Sequence, residues 1–256
     1  MATGDTVRTG ERGLAAAERD RRVELAACYR LVALHGWDDL IFTHISARVP
    51  GPHRHFLINP YGLLFGEITA SSLVKVDLDG RAVDDDPREI NPAGFAIHGA
   101  IHAARDDAAC VLHVHSVDGI AVSAQAGGLL PLSQQAMIVL ASLAYHDYTG
   151  LVLDGDDQAA LVRDLGARQC LMLRNHGLLT VGGSVAAAFL AMYHFIAACT
   201  IQIRAQAGGG PLALIGDAVL ARGRAQFAPD AKGAGRRLAW PALLRKLDAL
   251  DPGYRA

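Results

Sequence analysis

The sequence predicts a layered α/β domain whose sheet need not be purely parallel. Short apolar runs with the two-residue alternation of strands are interspersed with longer segments in which apolar residues recur at helical spacing. Glycines and Asp-Gly pairs separate these segments. The order of the segments is irregular, and the regular strand–helix–strand alternation of parallel α/β folds is weak. We therefore expect helices packed on a sheet, without assuming that all its strands are parallel.

The predicted helices and strands follow from spacing, caps and turn residues. Helices are expected at 14–36, 92–105, 157–165, 185–207 and 241–250, with a further one that follows residue 115 and ends near residue 127. Strands are expected at 56–58, 73–78, 110–115, 170–173 and 178–181. An Asp154-Gly155 turn precedes the helix at 157–165.

These elements divide the chain into three parts. Residues 1–12 are polar and predict a flexible tail, residues 13–207 form the main domain, and residues 208–256 form an appendix with a short helix. Ser184 is expected to cap the long alanine-rich helix, which the Gly-Gly-Gly-Pro run at 208–211 ends.

The composition is that of an ordinary globular protein and disfavours several functional classes. Of the 256 residues, 51% are hydrophobic and 20% are charged, and the formal net charge is −2. A nearly neutral chain with only 6% aromatic residues is not expected to bind nucleic acid. Four cysteines without a C-x-x-C pair predict buried reduced thiols in a cytoplasmic protein. No apolar run of about 18 residues is apparent, so we expect no membrane span.

The helix that begins at Pro92 carries two histidines on one face. Asn91 is a favourable cap, and proline suits the first helical position. His98 and His102 are four residues apart, so they share a face of this helix.

Three other histidines form the sharpest chemical feature. The two-residue period of a strand turns His113 and His115 to the same side, where their ring nitrogens can converge on one ion. The H-x-H pattern alone is equally compatible with two unrelated histidines. His176 lies in a tight turn between two strands, which can present a side chain at a defined position. Three imidazoles leave open positions on a metal, as a catalytic site requires.

Several motifs in this order resemble the class II aldolase/adducin family, and most closely its adducin-like bacterial branch. The match covers about residues 26–207 and includes Thr43-His44-Ile45-Ser46, Ile58-Asn59-Pro60-Tyr61-Gly62, Val76-Asp77-Leu78-Asp79-Gly80, His113-x-His115 and Leu173-Arg174-Asn175-His176-Gly177.

The resemblance implies a fold, a cofactor and an assembly. The fold is a three-layer α/β/α sandwich with a mixed, largely antiparallel central sheet. His113, His115 and His176 are the implied ligands of one divalent metal ion per chain, which could be zinc, iron or manganese and which polarises a substrate carbonyl. Many members of the family are homotetramers with their sites at subunit boundaries, so we expect a homo-oligomer.

This sequence departs from the family's aldolases at three positions that those enzymes use. Where they carry Ser-Ser-Glu before the H-x-H pair, this chain has Pro92-Ala93-Gly94, so Gly94 replaces the glutamate base. The asparagine that the aldolases carry in a binding turn is replaced here by His44. Their Ser/Thr-Gly turn is replaced by Tyr61-Gly62. Because the missing hydroxyls and amide bind phosphate in the family, a phosphorylated sugar is a poor candidate substrate.

The altered positions and their neighbours supply the remaining candidate site residues. His98, one turn after Gly94, is a candidate acid/base, and Tyr145 is a second catalytic candidate because aldolases contribute groups from that region to a neighbouring site. The candidates for substrate binding are His44, Tyr61, Gly62 and Gly94. Each also has a structural interpretation, as a histidine bonded to the backbone, a turn residue in solvent or a packed aromatic.

Three functions remain open. The first is a metal-dependent carbon–carbon lyase, of decarboxylase or aldolase type, that acts on an unphosphorylated oxo or hydroxy acid. Loss of CO2 needs no initial base, which suits a site with a metal and no carboxylate. The second is a non-haem Fe(II) oxygenase on an aryl oxo acid, with the same three ligands. The third is a non-catalytic adducin-like binding module.

Overall fold

The computed structural model describes residues 3–84, 86–150, 155–227 and 234–256, with side chains described in these ranges except at 3–12 and 234–236. Seven strands in these ranges form one sheet, in the order β3-β2-β1-β4-β7-β6-β5. The strands are β1 (His44–Arg48), β2 (Phe56–Ile58), β3 (Val74–Val76), β4 (Cys110–Val114), β5 (Leu143–His146), β6 (Cys170–Leu173) and β7 (Gly177–Gly182). All neighbouring strands are antiparallel except β5 and β6, which confirms the mixed, largely antiparallel sheet.

Helices cover both faces of this sheet. The described helices are α1 (Thr3–Leu34), α2 (Pro92–Ala104), α3 (Val117–Ser123), α4 (Gln134–Leu140), α5 (Gly155–Leu165), α6 (Val185–Ala207), α7 (Asp217–Gln226) and α8 (Ala234–Leu250). On one face, α2 and α5 form a core with the sheet through Ile101 and Leu165. On the other face, α1, α3, α4, α6 and α8 contribute to a larger core. The predicted three-layer α/β/α sandwich is therefore confirmed.

The central strand β4 divides its side chains between the two cores. Leu112 and Val114 enter the core that contains α1 and α6, whereas Val111 enters the core that contains α2 and α5. His113, two residues after Val111, therefore points to the α2 side of the sheet. The predicted period-two pattern of this strand is confirmed.

The caps predicted for two helices are also confirmed. Asn91 Oδ1 accepts a hydrogen bond from the backbone N–H of Ala93 at 3.1 Å. Ser184 Oγ accepts one from the backbone N–H of Ala187, also at 3.1 Å. Each cap satisfies a backbone donor that the first helical turn would leave unpaired, so α2 and α6 begin one residue after it.

A buried tyrosine of α1 fixes the position of β1. The Tyr29 hydroxyl accepts hydrogen bonds from the backbone N–H groups of Ile45 at 2.8 Å and Asn59 at 3.1 Å. The Tyr29 side chain is fully buried. One oxygen atom therefore joins α1 to β1 and to the end of β2, and α1 packs on the face of β1 that is turned away from α2.

Several elements differ from the sequence prediction. The first helix begins at Thr3 rather than at residue 14, so the described part of the expected tail is helical. Residues 44–48, interpreted as part of a turn, form β1, whose alternate polar residues disguise its apolar pattern. The sequence does not predict β5, α4 or α7, which are short. Asp154, in the predicted Asp-Gly turn, lies outside the described residues.

The C-terminal region packs into the main core rather than lying apart from it. α8 begins at Ala234 and contains Pro241, whereas the predicted helix starts at that proline. Trp240, Leu247 and Tyr254 are buried in the same core as α1 and α6. The packed domain therefore extends beyond residue 207, the predicted boundary.

α6 is an apolar helix that serves this core. By length and composition it is apolar enough to cross a membrane, which corrects the prediction that no segment has this property. Its side chains at Phe189, Met192 and Phe195 are buried against the sheet. The four cysteines are buried thiols, as predicted.

We expect Tyr254→Ala to lower the free energy of unfolding by about 3–5 kcal/mol, because it leaves a cavity where an aromatic ring is fully buried. Urea unfolding of the full chain measures the change. Leu250→Ala is the control, since Leu250 is 61% exposed and its loss should change stability by less than about 0.5 kcal/mol. Equal effects of the two substitutions would contradict the packing of the C-terminal region into the core.

Candidate metal centre

Three histidines bring their ring nitrogens together at one end of the sheet. Nε2 of His115 lies 2.9 Å from Nε2 of His113 and 3.0 Å from Nε2 of His176. All three lie within 4.8 Å of one another. Two nitrogens bound to one ion at about 2.1 Å are separated by about 3.0–3.4 Å for bond angles of about 90–110°. The observed separations fall at the short end of that range.

A tight hairpin places His176 against the end of β4. Asn175 adopts a left-handed conformation, with φ of 57°, between β6 and β7. A Cβ atom at Gly177 would lie 2.7 Å from the carbonyl oxygen of Val114 and 3.1 Å from the His115 ring. Only glycine at this position therefore allows the hairpin to approach His113 and His115.

Hydrogen bonds at the opposite ring nitrogens determine which nitrogen carries the proton. His113 Nδ1–H donates to the carbonyl oxygen of Leu178 at 3.0 Å, since a carbonyl can only accept. His115 Nδ1–H donates to Asp39 Oδ2 at 2.9 Å. In this tautomer each ring turns Nε2, the nitrogen that carries no proton in a neutral imidazole, toward the centre of the cluster.

The electrostatics of the cluster favour a bound cation. Burial holds the pKa of His113 well below its usual value. Burial, and then the nearby His115 and His146, lower the pKa of His176 to about 4. Nε2 of His113 and Nε2 of His115 face each other at 2.9 Å. A cation between them accepts a lone pair from each nitrogen, so the residues present fit a divalent metal ion.

The carboxylate of Asp39 is a site residue that the sequence analysis does not identify. It bonds His115 across 76 positions of sequence, so no local spacing connects the two. A carboxylate that accepts from the far nitrogen of a metal-binding imidazole orients the ring and increases its basicity. Asp39 is therefore placed to tune the metal affinity of the cluster.

A second group of buried polar side chains lies between β1 and α2, beside the cluster. We call it the histidine–serine network, and it consists of His44, His98, Ser46 and His102. His44 Nδ1 lies 2.9 Å from His98 Nε2. Ser46 Oγ lies 2.7 Å from His98 Nδ1 and 2.7 Å from His102 Nε2. The network contacts the cluster at His44. His44 pairs with His113 across strands β1 and β4, and the two ring centroids lie 5.2 Å apart.

Gly94 and His44, two of the departures from the family pattern, are in direct contact. A Cβ atom at Gly94 would lie 2.3 Å from Cδ2 and 2.7 Å from Nε2 of the His44 ring. These distances are too short for any side chain at position 94. The imidazole of His44 thus occupies the space that the absence of a side chain at Gly94 creates.

The other predicted site residues lie at different distances from this centre. His98 is buried behind His44, and hydrogen bonds engage both of its ring nitrogens. Tyr145 packs with the core on the α1 and α6 side, and its hydroxyl accepts a hydrogen bond from the backbone N–H of Leu129 at 3.1 Å. The structure therefore does not bring the Tyr145 hydroxyl to the histidines within one chain.

Tyr61 and Gly62 lie in an exposed turn after β2. The backbone N–H of Tyr61 donates to the carbonyl oxygen of Glu89, and the side chain is 41% exposed. Gly62 has a φ of 102°, which favours glycine in this turn. Tyr61 lines a surface groove with Val76 and Arg88 rather than contacting the histidine cluster.

His146, the last residue of β5, and Tyr148, which follows this strand, lie near His176. The ring of Tyr148 lies 6.1 Å from that of His176, between ring centroids. His146 Nδ1 lies 2.7 Å from Asp164 Oδ2, and its buried Nε2 has no hydrogen-bond partner among the described residues. Both side chains line a small pocket with His176. The sequence analysis does not select His146, because a lone histidine near a strand end carries no spacing signal.

Comparisons with known proteins agree with this architecture. Residues 23–203 match the family model described as the class II aldolase and adducin N-terminal domain. The chain is similar to a Pseudomonas aeruginosa protein with a provisional class 2 aldolase name, at 59% identity over 94% of each chain. It is 45% identical to rat alpha-adducin over 93% of this chain but only 34% of the adducin. An L-fuculose 1-phosphate aldolase structure from Glaciozyma antarctica superimposes with a TM-score of 0.83, at 27% identity over 95% of this chain and 94% of that one.

We expect Asp39→Asn to weaken zinc binding by about 10–100-fold, because the amide cannot replace the carboxylate that orients His115. Titration of metal-free protein with zinc measures the affinity. Asp38→Asn is the matched control, since it removes the same charge from the neighbouring position.

His115→Ala should abolish metal binding while leaving the fold intact. A variant that still binds one equivalent of zinc would contradict the ligand assignment.

Proposed function

The chain belongs to the class II aldolase and adducin family, and from this premise we propose that it is a metal-dependent carbon–carbon lyase. Its substrate would be an unphosphorylated oxo or hydroxy acid, cleaved by decarboxylation or by an aldol-type reaction. The observation that carries the proposal is the convergence of three Nε2 atoms in a family whose members include lyases.

The proposed metal ligands are His113, His115 and His176. A bound zinc, iron or manganese ion supplies a Lewis acid that polarises a substrate carbonyl. The chain's own contribution is orientation: Leu178 and Asp39 hold His113 and His115 in one tautomer. Because neutral imidazoles leave the ion's charge uncompensated, the site favours an anionic substrate.

The positions of the arginines support a substrate without a phosphate group. Arg174, beside the hairpin, donates to the carbonyl oxygen of Gln125 at 2.8 Å and stacks on Tyr145. Arg48 of β1 donates to the carbonyl oxygen of His102 at 2.8 Å. Arg174 and Arg48 are the arginines nearest in sequence to the site motifs, and both guanidinium groups make structural contacts. A substrate phosphate would need a free guanidinium group as its partner, whereas the metal ion can hold a single carboxylate.

A non-catalytic binding module is the second candidate. It is favoured by the 45% identity to rat alpha-adducin, which exceeds the 27% identity to the L-fuculose 1-phosphate aldolase. The three histidines and the hydrogen bond of His115 to Asp39 argue for retained metal chemistry instead.

We also propose that the protein is a cytoplasmic homotetramer, because many members of the family form this assembly.

The identity of the metal that the protein acquires in the cell distinguishes an oxygenase from a lyase. Three neutral imidazoles suit iron(II) as well as zinc or manganese. Elemental analysis of protein purified without oxygen and without added metal therefore separates these functions. One zinc or manganese per chain supports the lyase, whereas one iron with oxygen uptake on an aryl oxo acid supports the oxygenase.

We expect the metal-loaded protein to cleave a member of a panel of oxo and hydroxy acids, and to leave ketose phosphates unchanged. Enzyme-coupled detection of CO2 and of aldehyde measures the two cleavage modes. His176→Ala is the control, since it removes a ligand from the hairpin. Efficient cleavage of a ketose phosphate would contradict the proposed substrate class, and failure to bind any metal would favour the adducin-like module.

A further inference from the structure

We propose that the protein has a second binding site, on the face of the sheet away from α2, that takes a monocarboxylic acid with an apolar body. The site is a cavity of about 810 Å³ between α4, α6, α7 and α8. Its described lining residues include no member of the histidine cluster or of the histidine–serine network. The proposal therefore does not rest on the proposed lyase function.

Alanines on two helices leave this space open. α6 presents Ala187 and Ala191, which are four residues apart and therefore share a face of the helix. α8 presents Ala239 and Ala242, which are three residues apart and share a face in the same way. All four line the cavity. Because a methyl group projects only a short distance from a helix, these positions do not fill the space between α6 and α8.

The size of the cavity is that of a ligand site rather than of a packing fault. Protein interiors are close-packed, and few of their voids are larger than a water molecule. Sites for small molecules are usually about 300–1,000 Å³ in volume and have mainly apolar walls. The walls here include Ile138, Leu190 and Leu243, which are all half-buried and would be covered by an apolar ligand.

The polarity of the lining changes from the floor of the cavity to its mouth. At the floor, Val139 is 1% exposed and Cys170 is 4% exposed. At the mouth, Tyr193, Gln226 and Lys246 are exposed and carry polar groups. A ligand with an apolar body and one polar end fits this gradient, with its body against the floor and its polar end at the mouth.

The charge at the mouth determines the sign of that polar end. Among the described residues that line the cavity, Lys246 is the only one with a formal charge. No described carboxylate pairs with it, and the acidic residues nearest in sequence, Asp248 and Asp251, pair instead with Arg255 and Arg30. A single ammonium group compensates one negative charge, so a carboxylate suits this mouth better than a doubly charged phosphate.

A histidine at the same end of the cavity senses this ammonium group. His35 also lines the cavity, and its ring is stacked on that of Trp37 with 4.4 Å between the centroids. Burial, and then the positive charge of Lys246, lower the pKa of His35. The ring is therefore neutral at pH 7, and the positive potential of Lys246 extends into the part of the cavity that it lines. A carboxylate there would be attracted by the same potential.

Titration of the full-length protein with 2-naphthoate, two fused rings with one carboxylate, tests the site directly. Methyl NMR reports where the probe binds. We expect saturable shifts at Ile138, Leu190 and Leu243, and no shift at Ile101, which is buried in the core on the α2 side. The affinity should be the same with bound zinc and without it. Shifts that do not saturate, or that spare the three cavity residues, would overturn the proposal.

Removal of the ammonium group tests the charge of the ligand. Lys246→Gln should weaken 2-naphthoate binding by about 5-fold, the effect of one exposed ion pair. Arg245→Gln is the matched control, since Arg245 is an exposed neighbour that does not line the cavity. The neutral analogue 2-naphthylmethanol should bind more weakly than 2-naphthoate and should not respond to Lys246→Gln. Unchanged binding of 2-naphthoate by Lys246→Gln would contradict an anionic ligand.

Filling the cavity tests its location without changing any charge. Ala191→Phe should abolish 2-naphthoate binding, because the ring occupies the space between α6 and α8. Ala205→Phe is the control, at an exposed position of the same helix that does not line the cavity. Urea unfolding verifies that both variants are folded, and the Lys246→Gln test stands if Ala191→Phe is not.

Two results would overturn this location. One is wild-type affinity for 2-naphthoate in folded Ala191→Phe. The other is the loss of an oligomer in Ala191→Phe, together with wild-type protein that does not bind 2-naphthoate. The cavity would then be a contact between copies of the chain rather than a ligand site.

Discussion

The site depends on one electrostatic constraint: two imidazole nitrogens lie 2.9 Å apart, and a third lies 3.0 Å from one of them. Nitrogens that present lone pairs at this distance repel each other unless a cation occupies the centre. The fold nevertheless holds these nitrogens together from three directions. β4 and the residue that follows it supply two of the histidines, the β6–β7 hairpin supplies the third, and Gly177 removes the side chain that would keep the hairpin away. Most of the structure around the site can be understood as support for this approach.

The histidine cluster and the histidine–serine network follow the same principle. In both, the far nitrogen of an imidazole is tied to an acceptor whose position is set by the fold: the carbonyl oxygens of Leu178 and Ala108, and the carboxylate of Asp39. Burial lowers the pKa of His113 in the cluster and of His102 in the network, which keeps both rings neutral. A neutral ring with one nitrogen committed has only one way to present the other.

Gly94 and His44 illustrate how two departures from a family pattern form a single steric unit. Each is difficult to interpret alone, since one removes a side chain and the other introduces a ring. In the structure the ring fills the vacated space, and any side chain at position 94 would collide with it. The pair therefore has to change together.

Local sequence determined much of this protein: the layered architecture, the period-two face of β4, the caps of α2 and α6, and the shared side of His113 and His115. All of these depend on residues within a few positions of one another, where strand and helix periods apply. Tertiary structure decided the rest. It joined Asp39 to a histidine 76 positions away, turned Tyr145 into the opposite core, and brought β1, disguised as a turn, against α2 to complete the histidine–serine network. These outcomes follow from which elements pack together, and the spacing of residues along a chain contains no measure of that distance.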